Sequence, residues 1–411
     1  MFEPTFEISQ QNPEVTGQVS HWIEKIERLW DDASIRKNSI ELNDLTRHNP
    51  SEFVAQSIAI VEAIIHHCKQ RTIKQLSIDS NTLDAEAKQK LIEFLRSDNT
   101  ISEFIYINTD PKEEDELLAA LLTKDSIKEF TFNYPTGRAG TQISYIQKFV
   151  ENDVLTSLTL DGGLSDKNII KFIESLKNRR NQLALDVEGC FSEAKEIALL
   201  MKAILAGEAL VNKLRIGYES YLEAPEDFAA NNEHYIELEK IAKEFDKEIA
   251  LTELTVNDER WVNSINFFGF INELLLKKQH YSGLRKLALT VQDSTEMDSH
   301  LTTPGLEVLN KALLKPNCSL EELYLHECFI DPDNFDHSIS LIKKNKSLIV
   351  LNCSNPEGRA ATRFKPSQFN KFVRTLTANE HIESLSLSGV WFFRDGEEDE
   401  ATIAATGKLL A

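Results

Sequence analysis

The sequence predicts an α/β solenoid, with parallel strands on a concave face, helices on a convex face, and about twelve irregular strand–helix repeats curved into a horseshoe. Three observations predict it: a recurring apolar phrase, helical periodicity in the intervals, and the composition of an ordinary globular chain. The phrase is an apolar residue, two variable ones, a second apolar residue, one variable one and a third apolar residue. It is clear at Ile73-Leu76-Ile78, Ile127-Phe130-Phe132, Leu155-Leu158-Leu160 and Val211-Leu214-Ile216. It returns at Leu251-Leu254-Val256, Leu284-Leu287-Leu289, Leu320-Leu323-Leu325, Leu348-Leu351-Cys353 and Ile382-Leu385-Leu387. Weaker copies stand at Ile40/Leu42, Ile101/Phe104/Tyr106 and Leu183/Leu185. With the middle apolar residue as anchor, the sixth copy is anchored at Leu183, and intervals run from about 25 to about 40 residues, enough for one strand and one helix.

Taken in order, the chain opens with VSHWIEKIERLW, which places Val19, Trp22, Ile23, Ile26, Leu29 and Trp30 on one helix face. Residues 1–34 are read as a helical cap over the first repeat's open edge. Residues 35–390 form the solenoid. Its helices include EFVAQSIAIVEAIIHH after a candidate N-cap at Ser51, and AEAKQKLIEFL after Asp84. Thr303 followed by Pro304 reads as N-cap and first helical position. The longest interval, near 217–250, is rich in acids and reads as an insertion, with Pro225 breaking the chain before a helix of about 15 residues. NYPTGRAG after Phe132 is a turn. Residues 391–411 hold Trp391-Phe392-Phe393 and an acidic tail, read as a C-terminal cap. Curvature follows from two spacings: stacked strands sit about 4.8 Å apart, whereas packed helices need roughly 8–10 Å.

The pattern resembles the ribonuclease-inhibitor-like subfamily of leucine-rich repeats over nearly the whole chain. That family carries Asn or Cys three places after the last strand apolar residue, satisfying buried backbone groups at the turn. Asn81 and Cys328 match this register, and Asn355 falls one residue short. Gly163, Glu188, Glu219, Glu259 and Val390 depart from it, so the resemblance implies an irregular member.

Of the 411 residues, 66 are acidic and 45 basic, a formal charge of −21. Such a surface excludes nucleic acid, whose phosphates need clustered Lys and Arg, and disfavours anionic membranes. No run approaches the roughly 18 apolar residues of a membrane helix, so no membrane insertion is expected. The N-terminus lacks the basic and apolar regions of a secretory signal. The five cysteines, unpaired in spacing, read as free thiols in a reducing compartment. No GxxxxGK[ST], HExxH or GxSxG occurs, so the chain is expected not to be an enzyme and to need no cofactor. None of Cys68, Cys190, Cys318, Cys328 and Cys353 starts the Cys-x-Asp motif of bacterial leucine-rich-repeat ubiquitin ligases. His66-His67-Cys68 cannot converge on one metal from a helix, and no metal site is expected.

The variable phrase positions face the concave surface and are the expected protein-binding set. They include Asp79, Glu129, Asp161, Asp186, Arg215, Glu253, Lys286, Glu322, Tyr324 and His326. Their acidic surplus favours a protein partner with a basic surface. At the end of the chain, Glu397, Glu398, Asp399 and Glu400 precede a terminus carrying Leu409 and Leu410. This tail resembles the translocation signal of Legionella effectors carried by the Dot/Icm type IV system. The resemblance implies a leucine-rich-repeat effector made in the bacterial cytoplasm, translocated into a host cell and binding a host protein. Two alternatives stand beside it. One is a regulator or enzyme acting on a host small GTPase or ubiquitin-pathway protein, although neither Arg138 nor Arg359 matches the catalytic loop of the GTPase activators. The other is an intracellular structural scaffold.

Overall fold

The computed structural model describes residues 13–30, 39–41, 55–70, 73–98, 100–108, 115–134, 142–191, 194–218, 228–245, 247–257, 265–290, 303–326, 335–352 and 366–386. Ser51, Arg138, Cys328, Cys353, Trp391-Phe392-Phe393 and the acidic tail lie outside these residues. The chain divides into two compact units, Met1–Ser175 and Leu176–Ala411.

In the first unit, strands β1 (Ser39–Glu41), β2 (Gln75–Asp79), β3 (Glu103–Ile107), β4 (Glu129–Asn133) and β5 (Ser157–Asp161) follow chain order. Each pairs in parallel with the next, and Ile40, Leu76, Phe104, Phe130 and Leu158 stand in one row across them. All five are buried. Helix α1 (Pro13–Trp30) precedes β1, and α2 (Ser57–Gln70), α3 (Ala85–Ser97), α4 (Glu116–Leu121) and α5 (Ile143–Glu151) alternate with the strands. The unit closes on α6 (Asp166–Lys177).

Apolar spacing decides which face of each helix turns inward. α2 buries Ile60, Val61 and Ile64, α3 buries Leu91 and Leu95, and α5 buries Ile146, Phe149 and Val150. Phe149 lies 4.1 Å from Phe130 and 5.4 Å from Phe132 between ring centroids, joining helix layer to strand layer. α1 packs on α2. Trp22 is 1% exposed and donates its indole N–H to Gln56 Oε1 at 2.8 Å. Asp84 caps α3, accepting from Ala87 N at 2.8 Å and from the Ser57 hydroxyl of α2 at 2.6 Å.

The second unit continues the same plan. Its strands are β6 (Leu183–Phe191), β7 (Val211–Tyr218), β8 (Glu253–Asn257), β9 (Lys286–Thr290), β10 (Glu322–His326), β11 (Val350–Asn352) and β12 (Ser384–Ser386). Between them lie α7 (Ala194–Leu205), α8 (Phe228–Glu244), α9 (Ile265–Leu274), α10 (Thr303–Leu313), α11 (Phe335–Lys344) and α12 (Pro366–Thr377). Consecutive helices from α7 to α12 pack side by side. Leu214, Leu254, Leu287, Leu323, Leu351 and Leu385 share one row.

One anchor needs correcting. Leu185, not Leu183, stands opposite Leu214, while Leu183 pairs with Val211. Leu183, Leu185 and Val187 alternate on one face, so spacing alone does not choose among them, and a register shift after Leu183 makes the choice. The stretch expected to be an insertion holds α8, which packs between α7 and α9 and buries Tyr235, Leu238 and Ala242. Those residues sit three and four apart, on one face; Glu237 is exposed, while the Glu239 carboxylate lies against Gly269 of α9.

A device at the entry to several strands recurs six residues before the anchor. Asp98, Asn152, Asn345 and Asn379 each accept, through Oδ1, a backbone N–H two or three residues onward. Asn345 also donates Nδ2 to Leu313 O at 2.7 Å, and Asn379 to Ile342 O at 2.5 Å, each gripping the end of a preceding helix. Asn345 is 2% exposed, so its loss leaves buried backbone groups without partners.

Asn345→Ala is therefore expected to cost about 1–3 kcal/mol, and Asn379→Ala, at a half-exposed position, less; paired urea denaturation curves check the order. Asp84→Ala should cost about 1 kcal/mol at neutral pH. The Ala87 N–H and then the Ser57 hydroxyl hold the Asp84 pKa below its ordinary value. Stability from this carboxylate is thus present above the unfolded pKa and lost as pH falls through the folded one. The gap between wild type and Asp84→Ala should close in acid, read from denaturation at stepped pH.

Candidate protein-interaction surface

A parallel strand turns alternate residues outward. In each repeat the outward positions are the residue before the anchor, the one after it, and the third after it. Asp79, Glu129 and Asp161 occupy them in the first unit. Asp186, Arg215, Glu253, Lys286, Glu322, Tyr324 and the backbone of His326 occupy them in the second.

The two faces differ in electrostatics. On the second, the residues before the anchors on β7 to β10 are Lys213, Glu253, Lys286 and Glu322, in register and alternating in sign. Lys213 meets Glu253 at 2.7 Å, and Lys286 lies 3.7 Å from Glu322. The Lys286 ammonium also sits 5.0 Å from the Tyr324 ring centroid, and Tyr324 donates its hydroxyl to Glu322 at 3.0 Å. Burial, followed by that bond to Glu322, raises the Tyr324 pKa.

One row away, Arg215 pairs with Glu188 and lies 3.7 Å from Asp186. Asn257 donates Nδ2 to Glu188 across Gly217. A Cβ at Gly217 would stand 2.7 Å from Asn257 O and 3.0 Å from Glu188 Cγ, so glycine is what lets the two side chains meet. Asn257 Oδ1 is buried without a partner.

Among the described outward residues of β2 to β5 there is no such pairing. Glu103 and Glu129 stand directly opposite one another, and Asp79 and Asp161 occupy the third position after the anchor on β2 and β5. The other described outward residues of β2 to β5 carry no charge: Gln75, Ser77, Ile105, Ile107, Thr131, Asn133, Ser157 and Thr159. Burial raises the pKa of both Asp79 and Asp161. The acidic surplus expected of the outward residues is thus not offset by outward cations on the described strands β2 to β5. On the second face, cations answer the acids.

Glu103 and Glu188 were not among the expected contact residues. Glu103 lies within a weak copy of the phrase, directly before its anchor, and Glu188 falls at the family's turn register, whereas the nine-residue β6 carries it on the strand. At the turn position, Asn81 Nδ2 donates to Asn108 Oδ1 at 2.9 Å, a side chain of the next repeat.

Three described cysteines and His67 are buried in the packing. Burial pushes the Cys68 thiol up to about 12, and Cys190 and Cys318 are also buried. His67 is buried with Nε2 3.2 Å from Ile23 O, tying α2 to α1. Among the described residues no three His, Cys, Asp or Glu side chains are grouped to hold a metal ion, and no helix is long and apolar enough to cross a membrane.

Strand–helix units repeated in chain order, with one apolar row per strand position, define an α/β repeat fold of leucine-rich type. The sequence matches no protein-family model and no curated protein. Among solved structures it is similar to the leucine-rich repeat-containing protein LegL7 from Legionella pneumophila. The two are 13% identical, with 83% of this chain and 98% of that chain covered, at a TM-score of 0.47.

Gly217→Ala is expected to separate Glu188 from Asn257 and to cost roughly 1–3 kcal/mol through overpacking. Thermal denaturation of the variant checks it, with Gly189→Ala as the comparison: a Cβ there meets nothing within 4 Å, although its φ of +76° strains any side chain.

Proposed function

We propose that the protein is a non-enzymatic interaction module that binds a partner protein with a basic surface through the outward face of its strands. The observation that carries this is the strand face itself. Successive strands hold an ordered set of polar side chains in fixed register, while thiols and the buried histidine are used in packing. A preformed surface of this kind binds with little ordering cost. The acidic outward residues favour encounter with a cationic partner and oppose phosphate-rich ones.

We further propose that the chain is a bacterial effector delivered into a host cell, where its partner is a host protein. The support is the sequence of the tail, Glu397, Glu398, Asp399 and Glu400 ahead of Leu409 and Leu410. Replacing the four acids with Ala should abolish delivery of an enzymatic reporter fusion by a type IV-competent bacterium, with expression unchanged. Unimpaired delivery would remove the effector assignment and leave the binding reading intact.

Binding is tested by affinity capture from eukaryotic lysate with the wild type and with a variant carrying Asp79→Lys, Asp161→Lys and Glu322→Lys. A saturable partner that the variant loses while keeping its circular dichroism spectrum supports strand-face recognition. Equal capture by both proteins overturns it.

A further inference from the structure

We propose that the outward face of β2 to β5 is the docking surface for a Lys/Arg-rich segment of the partner protein, and that the outward face of the second unit is not. This rests on the strand-face reading above and assigns it to one unit by charge.

The first argument is an unanswered repulsion. Glu103 and Glu129 are register partners on adjacent strands, about 4.8 Å apart, and like charges placed so destabilise a sheet. No Lys or Arg occupies a described outward position of β2 to β5. Among the described residues, neither glutamate nor Asp161 has an ion-pair partner. A cation arriving from a partner relieves a strain that the fold itself leaves in place.

The second argument is an internal comparison. At the same register positions, the second unit alternates Lys213, Glu253, Lys286 and Glu322, and Arg215 lies between Asp186 and Glu188. Cations from a partner would have to displace those already present. The two faces share backbone geometry and differ in whether their charge is already matched.

Geometry sets the size of the ligand. Asp79 and Asp161 are three strands apart, on the order of 14 Å. Glu103 and Glu129 sit four residues nearer the strand starts, about 13 Å along the sheet. Four negative charges thus frame a neutral field of half-exposed Thr131, Asn133 and Thr159, with half-exposed Ile105 as an apolar contact. The carboxylates are too dispersed to converge on one metal ion. They suit several side-chain cations carried on a single segment.

The test uses the full-length protein and a fluorescein-labelled peptide of four Arg-Ser-Ser repeats, with Gln replacing Arg in a control peptide. Anisotropy is measured for the wild type, for a first-face variant (Glu103→Gln, Glu129→Gln, Asp161→Asn), and for a second-face variant (Glu253→Gln, Glu322→Gln). The first-face variant should fold at least as stably as the wild type, since it removes a repulsion. The expected result is saturable binding of the Arg peptide alone, weakened at least about tenfold in the first-face variant and changed less than about twofold in the second. Greater loss in the second-face variant overturns the assignment and leaves the strand-face reading standing. No loss in either variant also overturns it, and the strand-face reading then depends on the capture experiment alone. No binding of the Arg peptide by the wild type overturns the proposed ligand chemistry.

Discussion

Each unit depends on stacking one buried side chain per strand at the anchor position. Phe104 lies against Phe130, their rings stacked 5.8 Å apart, and the neighbours on either side extend the row. A single strand–helix repeat cannot bury its own apolar face, so each is stabilised by the one before and the one after it. Every other feature follows from that row. It fixes the register, the register fixes which residues alternate outward, and the outward residues are the surface available for recognition. A change at an anchor would alter the opposite face without touching it.

The rows are held in register by more than apolar contact. Asn345 and Asn379 bond forward to their own strand entry and backward to the end of an earlier helix, so a single amide clamps two repeats. Ser319 Oγ makes a comparable grip, reaching Leu275 O at 2.9 Å and Leu284 O at 2.7 Å. Such bonds satisfy the carbonyls that a helix leaves open at its C-terminus. They also show how repeats of unequal length can keep strands aligned: the clamp fixes the last residues before β11 and β12, and length variation is absorbed elsewhere in those repeats.

Most anchors were legible because the apolar phrase tests two spacings at once. Where three apolar residues alternate, as at Leu183, Leu185 and Val187, the last two positions of the phrase fit twice, and the shift in β6 that decides between them leaves no compositional mark. α8 is legible as a helix, but composition does not show that it packs as a repeat helix between α7 and α9. Glu233, Glu237, Glu239 and Glu244 interrupt its apolar residues, but Tyr235, Leu238 and Ala242 are correctly spaced, and position on the helix matters more than average composition. The clamp asparagines lie outside the family's turn register, although Asp98, Asn152, Asn345 and Asn379 share one offset from the anchor that aligned repeats display. Outward placement of the expected contact residues followed from alternation alone. Pairing among them did not, because it depends on neighbours about 30 residues away.

That last point bears on how the surface would recognise anything. Net charge treats all 66 acids alike, whereas a partner responds to those not already matched nearby. Cross-strand register converts one kind of sequence position into two kinds of surface: Glu253 and Glu322 are engaged by Lys213 and Lys286, and Glu103 and Glu129 face each other. Carboxylates in the first group have exchanged much of their attraction for distant cations against a local contact. Those in the second retain it and also carry the cost of mutual repulsion. Within a short distance of the surface, where salt screens fields beyond about 8–10 Å, it is this local imbalance rather than the total that would select where a cationic segment comes to rest.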